Sequence, residues 1–129
     1  MIPFQIELKA GVPIYEQVVY AVKKAVAFGR LAPGDRLPSV RNLSQELKIN
    51  PNTAQKAMAR LIQEKIVEVR PGIGCTVASA VTATDEQRAE ILGKKIEELV
   101  VEAKRLGLNE RDVTQAVHKR WMQLNEEKK

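Results

Sequence analysis

One cysteine, one histidine and an aromatic content of 4% are all that the 129 residues offer of the side chains on which metal sites, disulfides and stacked pockets depend. Cys75 has no second thiol to pair with, and Cys75 with His118 cannot fill a tetrahedral metal shell. Paired carboxylates in a plausible cleft are lacking, as are a nucleophile with its base and a phosphate-cradling loop. No catalytic residue, no metal ligand and no cofactor is therefore expected, and the chain is not expected to be an enzyme. Long apolar runs are missing too. Nothing approaches the ~20 residues that cross a bilayer, and the opening "MIPFQIELKA" lacks the basic and apolar regions of a signal peptide. A cytoplasmic protein with no membrane partner is the expectation.

What is present is the balance of a folded chain, 44% hydrophobic and 29% charged. The length suits one compact domain with its own core, or one small domain plus an appendage. The net charge of +5 is unevenly held: residues 1–80 carry 11 Lys and Arg against 6 Asp and Glu, while residues 81–129 carry 10 against 10. The excess of five therefore lies wholly in the first part, as expected of a surface that meets a polyanion.

After an extended start, Pro13 opens a helix in which Ile14, Val18, Val22 and Val26 recur four apart, closed by Gly29. "LAPGDRLPS" follows as a turn, and Ser39 can cap a short second helix that runs to Leu47 with Val40, Leu43 and Leu47 inward. Asn50 caps a third, Pro51 suits its first position, and Ala54, Ala57, Met58, Leu61 and Ile62 form its inward stripe. Two short helices joined by a tight turn make a helix-turn-helix. In "IVEVRPGIGCTVAS", Val67 and Val69 alternate with polar residues up to the turn "RPGIG", and Thr76 and Val77 resume strand composition, which predicts a β-hairpin wing.

Past Ala80 the pattern changes. Thr84 with Gln87 three residues later is a capping box for a long helix lined by Leu92, Ile96 and Leu99. Asn109 caps another, in which Val113, Val117, Trp121 and Leu124 recur at spacings of three or four. Two such helices cannot bury their own faces well, so they need a partner surface. The expected architecture is mainly α: a winged helix-turn-helix domain over residues 1–80 and a two-helix dimerisation module over residues 81–129. A tryptophan at helical spacing with leucine and valine is more often interface than ligand pocket, His118 is more often a surface residue than a sensor, and an unpaired cysteine in a strand more often packs than switches.

With the apolar stripe inward, Asn52, Gln55, Lys56 and Ala59 share the outer face of the third helix, with Thr53 and Arg60 to one side. Asn and Gln can each make a bidentate pair with adenine, Thr can meet a thymine methyl or a phosphate, and Lys neutralises phosphate. Arg41 stands near the start of the second helix, placed for a phosphate or a guanine. At the hairpin tip Arg70 lies beside Gly72 and Gly74, where backbone can approach a minor groove that attracts arginine. Outer polar faces are common on any helix. It is the order of the elements, with the basic excess confined to them, that points to double-stranded DNA.

The motifs "GRLAPGDRLPS", "RNLS", "NPNT" and "RPGIG" lie within residues 13–77, which resemble the winged helix-turn-helix domain of the GntR family of bacterial transcription regulators. The short helical tail resembles the YtrA subfamily. That resemblance implies operator contacts by Arg41, Asn50, Asn52, Thr53, Gln55, Lys56 and Gly72. Many members have a basic residue at the position of Pro51 and an arginine at that of Gln55, so the bases read here are expected to differ. The expected function is a regulator, acting as a repressor, that binds an inverted repeat as a homodimer, with Leu92, Ile96, Leu99, Val113, Val117, Trp121 and Leu124 in the dimer interface. The residues assign no effector ligand. The competing reading is a winged-helix module for protein–protein interaction, which would expose apolar residues where this helix exposes Asn, Gln and Lys.

Overall fold

The computed structural model describes residues 2–79 and 84–128 and divides the chain into two compact units, Met1–Val81 and Thr82–Lys129. The first unit holds helices α1 (Ile14–Ala27), α2 (Val40–Leu47) and α3 (Pro51–Gln63), then strands β1 (Val67–Arg70) and β2 (Gly74–Val77). The second holds α4 (Asp85–Arg105) and α5 (Glu110–Lys128).

Helix starts follow local cap chemistry. The Asn42 N–H donates to Ser39 Oγ at 3.1 Å at the head of α2, and the Asn52 N–H to Asn50 Oδ1 at 2.8 Å at the head of α3. Each satisfies one of the donors that a helix start leaves unpaired. Pro13 stands just outside α1 as its cap residue, and its carbonyl accepts from the Glu16 and Gln17 N–H groups. The Gln17 side chain then fastens the preceding segment: its amide donates to the carbonyls of Lys9 (2.8 Å) and Val12 (2.9 Å) and accepts from the Lys9 N–H (2.7 Å).

The core of the first unit is built from Val18, Val19, Val22 and Ala25 of α1, Leu43 of α2, Ala54, Ala57, Met58 and Leu61 of α3, and Val67 and Val77 of the strands. Phe4, Leu31, Leu37 and Ile49 close it from the connecting segments. Two expectations need correction, and one strand residue departs from its period. Ile14 and Ile62 are exposed rather than buried: Ile14 is the first residue of α1, and Ile62 turns outward beside the buried Leu61. Val69 is exposed at 61% although it shares the period of the buried Val67, since β1 runs out past the core toward the hairpin tip.

The hairpin is antiparallel, pairing Val67 with Val77 and Arg70 with Gly74. Residues 34–37 add a third, edge segment: the Gly34 N–H donates to the Val77 carbonyl (2.9 Å), the Val77 N–H to Asp35 (2.8 Å), and the Leu37 N–H to Cys75 (2.9 Å). Cys75 is half-buried. Thr76 is buried, and its hydroxyl has no hydrogen-bond partner among the described residues.

In the second unit Thr84 and Gln87 form the reciprocal capping box, and Asn109 and Asp112 make the same exchange at 2.9 and 3.0 Å at the head of α5. The helices are well defined, yet among the described residues of this unit only Ala103 is buried.

Candidate nucleic-acid interface

The helix-turn-helix is formed by α2, the turn at 48–50, and α3. Lys48 adopts a left-handed conformation (φ 55°), and the buried Ile49 donates its N–H to the Ser44 carbonyl, so the turn is fixed from inside. The direction of α3 is thereby set by packing, and its polar edge is left free. Asn52, Gln55, Lys56 and Ala59 are exposed and Thr53 is half-buried beside them. Arg41, in the first turn of α2, is exposed as well. Neither Gln55 nor Arg41 has a side-chain partner among the described residues. Asn50 differs: its carbonyl oxygen is occupied by the cap, which leaves its amide N–H groups as the donors it can offer.

Contacts with α1 reach Lys56 on that edge and the end of α3 beyond it. The Lys56 ammonium lies 4.2 Å from the centroid of the Tyr15 ring, a cation–π contact. Glu64, following α3, accepts from Lys23 Nζ of α1 at 2.6 Å and from Arg60 Nε at 2.9 Å. The Lys23 bond, and after it Arg60, holds the Glu64 carboxyl below its ordinary value of 4.5, against the opposing effect of burial. Arg60 thus presents a compensated charge, and Lys56 a free one resting on an aromatic face.

At the wing, Gly72 has φ +78° with open space where a Cβ would stand. The glycine is required there by backbone conformation, not by crowding within the chain. Arg70 is exposed, but its Nη2 and Nε both donate to Glu68 Oε1, at 2.9 and 3.2 Å. Arg36, which sequence reading passed over, sends Nη2 to the Ile73 carbonyl at 2.7 Å. Its signal was its place directly after the "PGD" turn; the contact itself joins positions too far apart for local pattern to disclose. Tyr15 was missed for the same reason.

The seven residues expected at a subunit interface line two grooves between α4 and α5: Leu92 and Ile96 one, Leu124 the other, and Leu99, Val113, Val117 and Trp121 both. Among the described residues no group of His, Cys, Asp and Glu could hold a metal ion, and no helix is long and apolar enough to cross a membrane.

Three helices followed by a hairpin, with a polar, capped third helix, define a DNA-binding protein of the winged helix-turn-helix class. The family of bacterial regulatory proteins designated gntR matches residues 14–77. The HTH-type transcriptional repressor YtrA of Bacillus subtilis is 34% identical over 105 residues, spanning 81% of this chain and 81% of that one. The chain belongs to the GntR family. Among solved structures, a transcriptional antiterminator from Listeria monocytogenes EGD-e superposes with a TM-score of 0.78 at 27% identity, over 94% of this chain and 91% of that one. A GntR family transcriptional regulator from Listeria monocytogenes gives 0.65 at 28% identity, over 87% and 98%. Each covers the helical tail as well as the winged domain, so the two-part architecture is shared with them.

Proposed function

We propose that the protein is a transcriptional repressor that binds an inverted-repeat operator as a homodimer in the cytoplasm. The observation that carries this reading is the combination of an exposed polar edge on α3 with an unburied apolar groove between α4 and α5. α3 enters the major groove, where Asn52 and Gln55 address base edges, Thr53 meets a methyl or a phosphate, and Lys56 and Arg41 neutralise phosphates. Asn50 donates from its free amide, and Gly72 lets the wing backbone approach the neighbouring minor groove. Leu92, Ile96, Leu99, Val113, Val117, Trp121 and Leu124 bury one another across a two-fold axis in the module formed by the second unit. Two recognition helices are then set about 34 Å apart, one helical turn of DNA. Occupation of a promoter excludes polymerase, in keeping with the repressor named among the relatives.

The test is selection of bound duplexes from a random DNA pool, with the complex sized at two salt concentrations. One inverted repeat bound by two chains, weakening steeply as salt rises, is the expected result. Sequence-blind binding, or a single bound chain, would overturn it.

A further inference from the structure

The hairpin and its edge segment at 34–37 carry two arginines, Arg36 and Arg70, and two carboxylates, Asp35 and Glu68, and their pairing is unequal. Arg70 gives two N–H groups to Glu68 Oε1, so its charge is cancelled where it stands, and moving it onto a phosphate breaks a charge-assisted pair. Arg36 donates to a neutral acceptor, the Ile73 carbonyl. No carboxylate among the described residues forms an ion pair with it, and the neighbouring Asp35 carboxylate is engaged by the Ala32 N–H at 2.8 Å. Its backbone is fixed by the bridge to Thr76 in β2, while its exposed guanidinium reaches the turn that joins β1 to β2.

We propose that Arg36, rather than Arg70, supplies the wing's positive charge to bound DNA, delivered to the hairpin tip by its bond to the Ile73 carbonyl. A guanidinium has five N–H donors in a rigid fork, so one bond to the carbonyl leaves others for a phosphate oxygen. Arg36 therefore holds the tip and meets the backbone of the duplex at once. No ion pair has to break, which makes it the lower-cost contact of the two arginines. The inference rests on the DNA-binding reading above and gives a DNA contact to a residue whose place in "GRLAPGDRLPS" marks it only as part of a turn.

The test uses the full chain and the duplex recovered by the selection, measuring affinity across a salt series for wild type, Arg36→Met, Arg36→Lys and Arg70→Met. Arg36→Met is expected to weaken binding and to make the slope of log affinity against log salt shallower by about 0.9 for each protomer bound. Arg70→Met should change the slope less, and Arg36→Lys should restore it because the charge remains. Hydrogen exchange of the wing amides shows whether Arg36→Met also loosens the hairpin. If it does, the lysine variant decides, since a loss that lysine does not restore belongs to the tether and overturns the charge assignment. An unchanged slope in Arg36→Met, or a larger loss in Arg70→Met, overturns it as well. Failure of the wild type to bind any duplex brings down the DNA reading itself, before any variant is compared.

Discussion

The two units are built from the same material, capped amphipathic helices, and differ in what those helices have to pack against. In the first, three helices and a hairpin enclose a common centre, and Val18, Val22, Leu43, Leu61, Val67 and Val77 are all at most 2% exposed. In the second, Leu92 remains 57% exposed, Ile96 47% and Trp121 67%. Caps and periodicity are enough to make a helix, but a core needs a third layer. Among the described residues of the second unit that layer is missing, and a second copy is the simplest supply of it. The largest expected effect follows: Ile96→Asp with Leu99→Asp places charge in the groove and should convert two-chain species to one-chain species in sedimentation. Affinity for an inverted repeat should then fall by about 10²–10⁴, the loss of linked binding. Retention of the two-chain species would show that another surface pairs the subunits.

The comparison is sharper when the same substitution is made in both units. Leu61→Ala opens a cavity in an enclosed core and should cost about 2–5 kcal/mol by denaturant unfolding, independent of protein concentration. Leu99→Ala, at a position 44% exposed in the single chain, should act through association, with a midpoint that moves as concentration is changed. A concentration-independent loss of equal size at both sites would mean that the second unit has a core of its own.

Much of this was legible in the sequence because cap chemistry is local. Ser39, Asn50, Thr84 and Asn109 each mark a helix start within three residues of the group they bond, and all four starts lie where the pattern puts them. Periodicity identified faces but not how far the core extends, so Ile14 and Ile62 fall on the inward stripes yet are exposed, and Val69 keeps the period of Val67 without its burial. The edge segment at 34–37, the burial of Phe4, and the contacts of Tyr15 with Lys56 and of Arg36 with Ile73 join distant positions, and neither spacing nor composition encodes them. The α3 edge was legible as polar and outward; that the Asn50 carbonyl oxygen is spent on the cap became visible only in the fold.

On that edge the proposal separates two kinds of contact. Gln55→Ala should cost about 1–3 kcal/mol of binding and relax specificity at one base pair, measured by competition among operator variants. Lys56→Ala should weaken all duplexes alike and make the salt dependence shallower. Neither should move the sedimentation behaviour, which the proposal assigns to the second unit. If both changes were silent, α3 would not be the groove-facing helix.

A smaller contrast lies in how helices of the two units end. After α3 the Lys65 N–H donates to Ile62 and the Ile66 N–H to Leu61; after α4 the Gly107 N–H donates to Lys104 and the Leu108 N–H to Ala103. The motif is the same, with a left-handed residue at its centre: φ 61° at Lys65 and 76° at Gly107. A side chain is strained in that conformation and glycine is not. Lys65→Gly should therefore stabilise the first unit by about 1 kcal/mol, and Gly107→Ala should destabilise the second by a similar amount, both by denaturant midpoint.

The smallest expected effect compares two carboxylates whose pKa values are both lowered. Glu102 pairs with Arg105 on the same helix, while Glu64 joins Lys23 on α1 to Arg60 on α3. A carboxyl with a depressed folded pKa contributes stability that is present above its unfolded value of about 4.5 and is lost as pH falls through the folded value. Both groups share that sign, but only Glu64 ties two elements of a core together. Glu64→Gln should reduce the slope of unfolding free energy against pH below about 4.5, while Glu102→Gln should leave the stability of the first unit as it was. The effect will be small, since the Glu64 side chain is 30% exposed and water screens the pair. Equal slopes in the wild type and the Glu64 variant would mean that α1 and α3 are held by their apolar contacts alone.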